Sequence, residues 1–184
     1  MPAPVRGGPN EPLVVDLDGT LIREDMLRLA LVDILRKSPT RLPTVLLGLA
    51  GGRVEFKKRA ALAAVVDPAR LSYNQRVLQL VRAARQHGRE VVLATGSHRL
   101  PAALVAEYLG LFDSVLASEG PCNMKGPAKA EALVARYGLT GFDYVGNSHA
   151  DIPVWQCAQR GFLVNADAGL ESRLRRLKLN VEGL

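Results

Sequence analysis

Leu13-Val14-Val15-Asp16-Leu17-Asp18-Gly19-Thr20-Leu21 decides how the rest of the chain is read. An apolar run ends in two carboxylates separated by a single residue. Such a run suits a strand buried in a parallel sheet, and the carboxyl end of that strand is where an open α/β sheet places its ligands. The two carboxylates converge on one centre if the chain bends immediately after Asp16, a bend that Gly19 permits. An Asp- and Gly-rich turn that merely ends a strand is the plain alternative, and this stretch alone leaves both open.

The pair suits phosphoryl chemistry on an aspartate. Asp16 would attack phosphorus to give an aspartyl-phosphate, while Asp18 would protonate the leaving oxygen and later take a proton from the attacking water. Two anions repel an incoming phosphate, so this chemistry calls for a hard cation with oxygen ligands. Mg²⁺ meets that description.

Beyond Asp18 the pattern turns helical. Met26, Leu27, Leu29, Ala30, Leu31, Ile34 and Leu35 recur at helical spacings, with Glu24 and Asp25 near the start and Ser38-Pro39 closing the run. Residues 41–52 read as a second, very apolar helix, 54–66 as a third and 73–87 as a fourth that stops at Gly88. A βα crossover needs only one helix, so residues 23–72 are expected to form an inserted helical cap. The core then takes residues 12–22 and 73–184, after a disordered tail at 1–11. Strands at 90–94, 114–117, 142–145 and, last, 161–164 alternate with helices at 100–109, 128–137 and 152–160. That alternation predicts an α/β fold with a parallel sheet.

Three further strand ends carry groups that a phosphate site can use. Thr95-Gly96-Ser97 offers a hydroxyl and backbone amides around a permissive glycine, although a helix N-cap explains the same residues. In Asn123-Met124-Lys125-Gly126-Pro127-Ala128-Lys129, two lysines stand at and before a helix start. Cations there oppose the helix dipole and call for an anion nearby. Gly146-Asn147-Ser148-His149-Ala150-Asp151 supplies an amide and a carboxylate four residues apart, both oxygen donors of the kind Mg²⁺ takes. Four such strand ends favour one shared site over four unrelated turns.

With DxDGT, a hydrophobic strand followed by Thr-Gly, a lysine and Gly-Asn-x-x-x-Asp in this order, the chain resembles the haloacid dehalogenase superfamily of Mg²⁺-dependent phosphohydrolases. The motifs span residues 16–151. The resemblance implies a Rossmann-like core with a small helical cap between the first and second motifs. It implies that Asp16 is the nucleophile, that Asp18 is the general acid/base whose carbonyl also binds metal, that Thr95 holds the transferring phosphoryl group, and that Asp151 supports the metal. Lys129 opens Lys-Ala-Glu-Ala-Leu and matches the family lysine better than Lys125 in the preceding loop. Gly96, Ser97, Lys125 and Arg23 are candidates for phosphate or substrate contacts. Asn147 departs from the pattern, since most members place a metal-binding Asp there; an amide oxygen can still ligate Mg²⁺, with one negative charge fewer.

Val-Asp-Leu-Asp-Gly-Thr-Leu-Ile-Arg, Phe56-Lys57, Leu-Ala-Thr-Gly-Ser, Asn-Met-Lys-Gly and Gly-Asn-Ser-His-Ala-Asp-Ile-Pro-Val-Trp are similar to the haloacid dehalogenase-like domain fused to UbiA-type membrane prenyltransferases. That likeness implies a sugar or polyprenyl-linked phosphate ester as substrate and association with a membrane prenyltransferase, although fold-level analogy carries little about substrate. An accessory module of weak or no activity is the rival reading. A phosphotransferase or phosphomutase would use the same core residues.

Composition narrows the field. At 184 residues and 48% hydrophobic content, the chain can bury one substantial core. Cys122 and Cys157 are too few for a disulfide framework and are expected as reduced thiols. No apolar run approaches the roughly 18 residues of a membrane span, so a cytoplasmic protein is expected. Much of the net charge of +6 falls in Lys57-Lys58-Arg59, in residues 82–89, and at Arg173, Arg175, Arg176 and Lys178. Aromatic content is only 5% and no aromatic residue interleaves with these groups, so no nucleic acid is expected. Solvated helix faces explain the clusters, with a membrane-facing C-terminal cluster as the functional alternative. His98 and His149 are read as loop residues beside the site, and Trp155 as core.

Overall fold

Six parallel strands form one sheet in the computed structural model, which describes residues 11–64, 66–165 and 167–184. Apart from Glu11, the expected N-terminal tail lies outside the described residues. The strands are β1 (Leu13–Val15), β2 (Val91–His98), β3 (Ser114–Ser118), β4 (Asp143–Gly146), β5 (Arg160–Leu163) and β6 (Val181–Gly183), ordered β3-β2-β1-β4-β5-β6. Val14 pairs with Val92 on one side and Tyr144 on the other, so β1 is central and fully buried. Strand order reverses at β1, and the crevice at its carboxyl end is where such sheets bind ligands.

Four α-helices intervene between β1 and β2: α1 (Met26–Lys37), α2 (Leu42–Leu46), α3 (Gly52–Ala63) and α4 (Gln75–Gln86). Asp25 caps α1 by accepting from Arg28 N–H at 2.9 Å, and Asn74 caps α4 by accepting from Arg76 N–H at 3.1 Å. The first three surround a small core of their own, built on Ala30, Ile34, Val45, Ala60 and Ala64. The remaining helices are α5 (Arg99–Leu109), α6 (Pro127–Tyr137), α7 (Ile152–Trp155) and α8 (Ala168–Arg176). Alternate strand residues serve opposite faces. Leu13, Val15, Val91 and Leu93 pack with Val77 and Val81 of α4 and Val105 of α5, whereas Val14, Val92 and Tyr144 pack with Leu133 of α6 and Leu170 of α8. Among the described residues, no helix is long and apolar enough to cross a membrane.

The structure corrects several expectations. Residues 41–52 do not make one helix: two 3-10 turns, Pro39–Arg41 and Leu47–Gly51, flank the short α2. Pro43 offers no N–H, and Gly48 lets the chain cross α3 so closely that a Cβ there would stand 2.9 Å from the Phe56 Cα. Residues 95–97 are not a turn but lie within β2, where pairing with β3 shifts register between Thr95 and His98. The helix expected over 152–160 stops at Trp155, because Arg160 already pairs with Asp143 to start β5. Residues 161–164 are not the last strand; α8 leads on to β6, which pairs with β5.

Candidate active site

The carboxyl end of β1 is fixed by its neighbour, since Asp16 N–H donates to Val145 C=O at 3.0 Å. The chain then winds through a wide turn closed by Leu21 N–H to Asp16 C=O and Ile22 N–H to Leu17 C=O. Gly19 occupies the left-handed region at φ +74°. Within this turn Asp16 accepts from Lys129 Nζ at 2.7 Å and from Thr20 Oγ1 at 3.2 Å. Lys129 projects from the first turn of α6, is 2% exposed, and also donates to the Tyr144 hydroxyl at 2.8 Å. That hydroxyl donates to Asp151 Oδ1 at 2.7 Å, closing a chain from Asp16 through Lys129 and Tyr144 to Asp151. Asp151 Oδ2 in turn accepts from the N–H groups of Asn147 and Ser148 and from Ser148 Oγ, which holds the loop after β4. The anion that the helix-start lysine calls for is thus supplied by Asp16 and Asp151.

Asp18 is gripped from two sides. Its Oδ1 accepts from Met26 N–H at the start of α1 at 2.7 Å, and its Oδ2 accepts from Ser97 Oγ at 2.7 Å and Thr95 Oγ1 at 3.1 Å. Thr95 is fully buried and also accepts from Ser97 N–H at 2.9 Å, so its hydroxyl orients Asp18 here rather than opening on the cavity.

Two carboxylates, Asp16 and Asp151, share one buried ammonium, and Asp18 is near enough to act on it through its charge. Burial pushes Asp16 up to about 7, against the opposing pull of Lys129, and burial likewise raises Asp18 despite the hydrogen bond from Met26. For Lys129, burial works toward the neutral form, but Asp16 and Asp151 outweigh it and hold the ammonium above its ordinary value. Burial also raises Tyr144 well above a free phenol, keeping it a donor to Asp151.

A cavity of about 400 Å³ opens over these groups, and Asp16, Asp18, Lys129, Asn147 and Asp151 all line it. Gly96, Ser97, Lys125 and Arg23 line it as well, so the structure brings every candidate but Thr95 to one space. Lys129, not Lys125, touches Asp16; Lys125 is exposed and lies across Gly96, where a Cβ would meet its own at 3.2 Å. Arg23 is exposed at the rim. The Asn147 amide lies on Gly19, whose added Cβ would fall 2.2 Å from Asn147 Nδ2. His98 caps α5 by accepting from Leu100 N–H, His149 is exposed, and Trp155 is buried.

Lys57 was hidden in its sequence as one of three successive basic residues. In the fold its Nζ leaves α3, crosses to β2 and donates to Gly96 C=O at 2.5 Å and Asn123 Oδ1 at 3.0 Å. Burial lowers its pKa, and neighbouring Lys125 lowers it further. Phe56-Lys57 was the only sequence signal for it.

The donor set suits a hard divalent cation that keeps much of its own water. Among the described residues there is no preassembled cluster of three or more acidic, His or Cys ligands, and Asp18 and Asp151 each accept several hydrogen bonds. The Asp16 carboxylate and the Asn147 side chain face the same cavity. Mg²⁺ is commonly held by one or two carboxylates, waters and the substrate phosphate, so this sparse all-oxygen set fits it.

The parallel sheet thus carries Asp16 and Asp18 just after its central strand, with buried Lys129 bridging Asp16 and Asp151. The haloacid dehalogenase-like hydrolase family matches residues 13–156, and the chain belongs to that family. It is similar to the uncharacterized protein y4nM of Sinorhizobium fredii strain NGR234, at 36% identity over 173 residues and 94% of this chain. The match takes up 33% of that protein, so the chain spans about a third of its length. Among solved structures, a protein of unknown function from Bordetella pertussis Tohama I matches with a TM-score of 0.71 at 16% identity, covering 94% of this chain and 98% of that one. A substrate-bound phosphoserine phosphatase matches with a TM-score of 0.61 at 15% identity, covering 89% and 90%. At these identities the likeness concerns the fold.

Proposed function

We propose that the protein is a Mg²⁺-dependent phosphomonoester hydrolase that works through an aspartyl-phosphate at Asp16. The observation that carries this reading is the buried Asp16–Lys129 contact at 2.7 Å, opening onto a cavity with Asp18 locked beside it. Lys129 holds the Asp16 carboxylate in place and offsets its charge as it attacks phosphorus. The bond to the leaving oxygen breaks while Asp18 gives that oxygen a proton, and burial favours the protonated acid that this step requires. Asp18 then takes a proton from the water that attacks the phosphoryl group, which frees Asp16. Gly96, Ser97 and Lys125 border the space for the phosphoryl oxygens. Mg²⁺, when bound, supplies positive charge against the carboxylates and phosphate; Asp16, the Asp18 backbone carbonyl and the Asn147 amide would hold it, with Asp151 supporting their loop.

Hydrolysis of an aryl phosphate with and without Mg²⁺, in the wild type and in Asp16→Asn, tests the reading. Metal-dependent turnover that falls about ten-thousandfold or more in the variant is expected. Wild-type protein silent toward every phosphoester would instead favour the accessory module, and turnover surviving in Asp16→Asn would remove the nucleophile.

A further inference from the structure

A second cavity, of about 360 Å³, lies between α1 and α3 on one side and α5 on the other. Leu27, Ala61, Leu62, Leu100, Pro101 and Leu104 give it an apolar lining. Leu62, Leu100 and Leu104 are 61%, 47% and 48% exposed, so both walls present leucines to solvent. Leu27, Lys57 and Ser97 also line the catalytic cavity, making the two spaces neighbours through shared walls. Lys57 marks the change of character: its head is bound at Gly96 and Asn123 on the polar side while its stem belongs to the apolar wall.

Of the acidic groups around the two spaces, Glu24 and Asp25 are committed to holding the chain, and Glu107 of α5 lies on the groove wall exposed to solvent. Glu24 accepts from Ser72 N–H at 3.1 and 3.2 Å, and Asp25 caps α1. His98, a polar member of the groove wall, caps α5. A leaving group that extends away from Asp16 past Ser97 therefore meets a wall that is mainly hydrocarbon, in a space within the usual size of small-molecule sites.

We propose that this groove seats an extended apolar leaving group, so that the substrate is a phosphate monoester of a hydrocarbon-chain alcohol rather than of a small polar metabolite. The proposal rests on the phosphohydrolase reading for its chemistry, but binding can be measured apart from turnover. Calorimetry on the wild-type protein with Mg²⁺ would compare ethyl-, butyl-, hexyl- and octylphosphonate, which carry a non-hydrolysable C–P bond. About fourfold tighter binding per buried methylene is expected until the groove is filled. Leu104→Glu and Leu62→Glu alter opposite walls at exposed positions; each should abolish the chain-length dependence while unfolding at the wild-type temperature.

Affinity that ignores chain length, or a dependence that persists in both variants, would overturn the groove. A wild-type dimer that both variants dissociate would overturn it too, by assigning the leucines to a second copy of the chain. Hydrolysis of the matching alkyl phosphates, run in parallel, separates the two readings: chain-dependent binding without turnover keeps the groove and removes the hydrolase, whereas turnover with flat binding does the reverse.

Discussion

Two buried aspartates stand at opposite ends of the same sheet and are treated in opposite ways. Asp143, at the amino end of β4, is fully buried and receives two guanidinium groups, with Arg89 Nη2 at 2.6 Å and Arg160 Nη2 at 2.5 Å. Asp16, at the carboxyl end of neighbouring β1, shares a single ammonium with Asp151 and lies close enough to Asp18 to feel its charge. The first centre has a surplus of positive charge and borders none of the cavities above; it ties Glu11, β2, β4 and β5 together. The second has a surplus of negative charge and a cavity above it. Burial alone therefore does not mark a functional carboxylate. What sets Asp16 apart is unbalanced negative charge facing open space, which a cation and an anionic substrate could complete.

Breaking the structural centre should give the largest change in stability. Asp143→Ala leaves the buried Arg89 without its carboxylate, and unfolding by denaturant should show a loss of about 3–5 kcal/mol, with turnover per folded molecule retained. The proposed catalytic centre should respond in the other way. Lys129→Ala removes the cation that contacts Asp16, and kcat should fall about a hundredfold to a thousandfold. Retained turnover in that variant would erase the distinction between the two centres.

A smaller effect is expected at Gly19, which connects backbone geometry to the donor set. Its φ of +74° and the 2.2 Å approach of Asn147 mean that Gly19→Ala must displace the amide. Stability should drop by about 1–2 kcal/mol and the Mg²⁺ concentration needed for half-maximal turnover should rise. The smallest effect belongs to an exposed pair that serves as reference. Burial would raise Asp113, but hydrogen bonds from Val91 N–H and Arg85 more than offset it and hold the carboxyl below its ordinary value. A lowered folded-state pKa gives stability that is present above the unfolded value and lost as pH falls through the folded one. Asp113→Asn should therefore flatten the acid side of the stability curve by under about 1 kcal/mol, and leave neutral-pH turnover unchanged.

The carboxyl end of the central strands was more legible in the sequence than the edges of the sheet. Val14 and Val15 leading into Asp16, and Tyr144 and Val145 leading into Asn147, announce buried strands because both faces of each strand are covered. The β6 strand gave no such signal: Val181-Glu182-Gly183 is short, lies at the edge and contains one apolar residue. The α8 helix buries only Leu170 and Leu174 among its basic residues, too sparse a stripe to stand out. Residue types told which groups would gather around one cavity, with Thr95 the exception, but not where their atoms point. The hydroxyl of Thr95 turns to Asp18, and Lys57 reaches β2 from α3; both depend on contacts between residues distant in the chain.

The most direct test of the account is to quench the wild-type protein in acid during turnover of a phosphomonoester with Mg²⁺, and to map any protein-bound phosphoryl group by mass spectrometry. The account predicts one phosphoryl group on the peptide containing Asp16, absent without Mg²⁺ and absent in Asp16→Asn. A phosphoryl group on a different residue, or full turnover by Asp16→Asn, would contradict it.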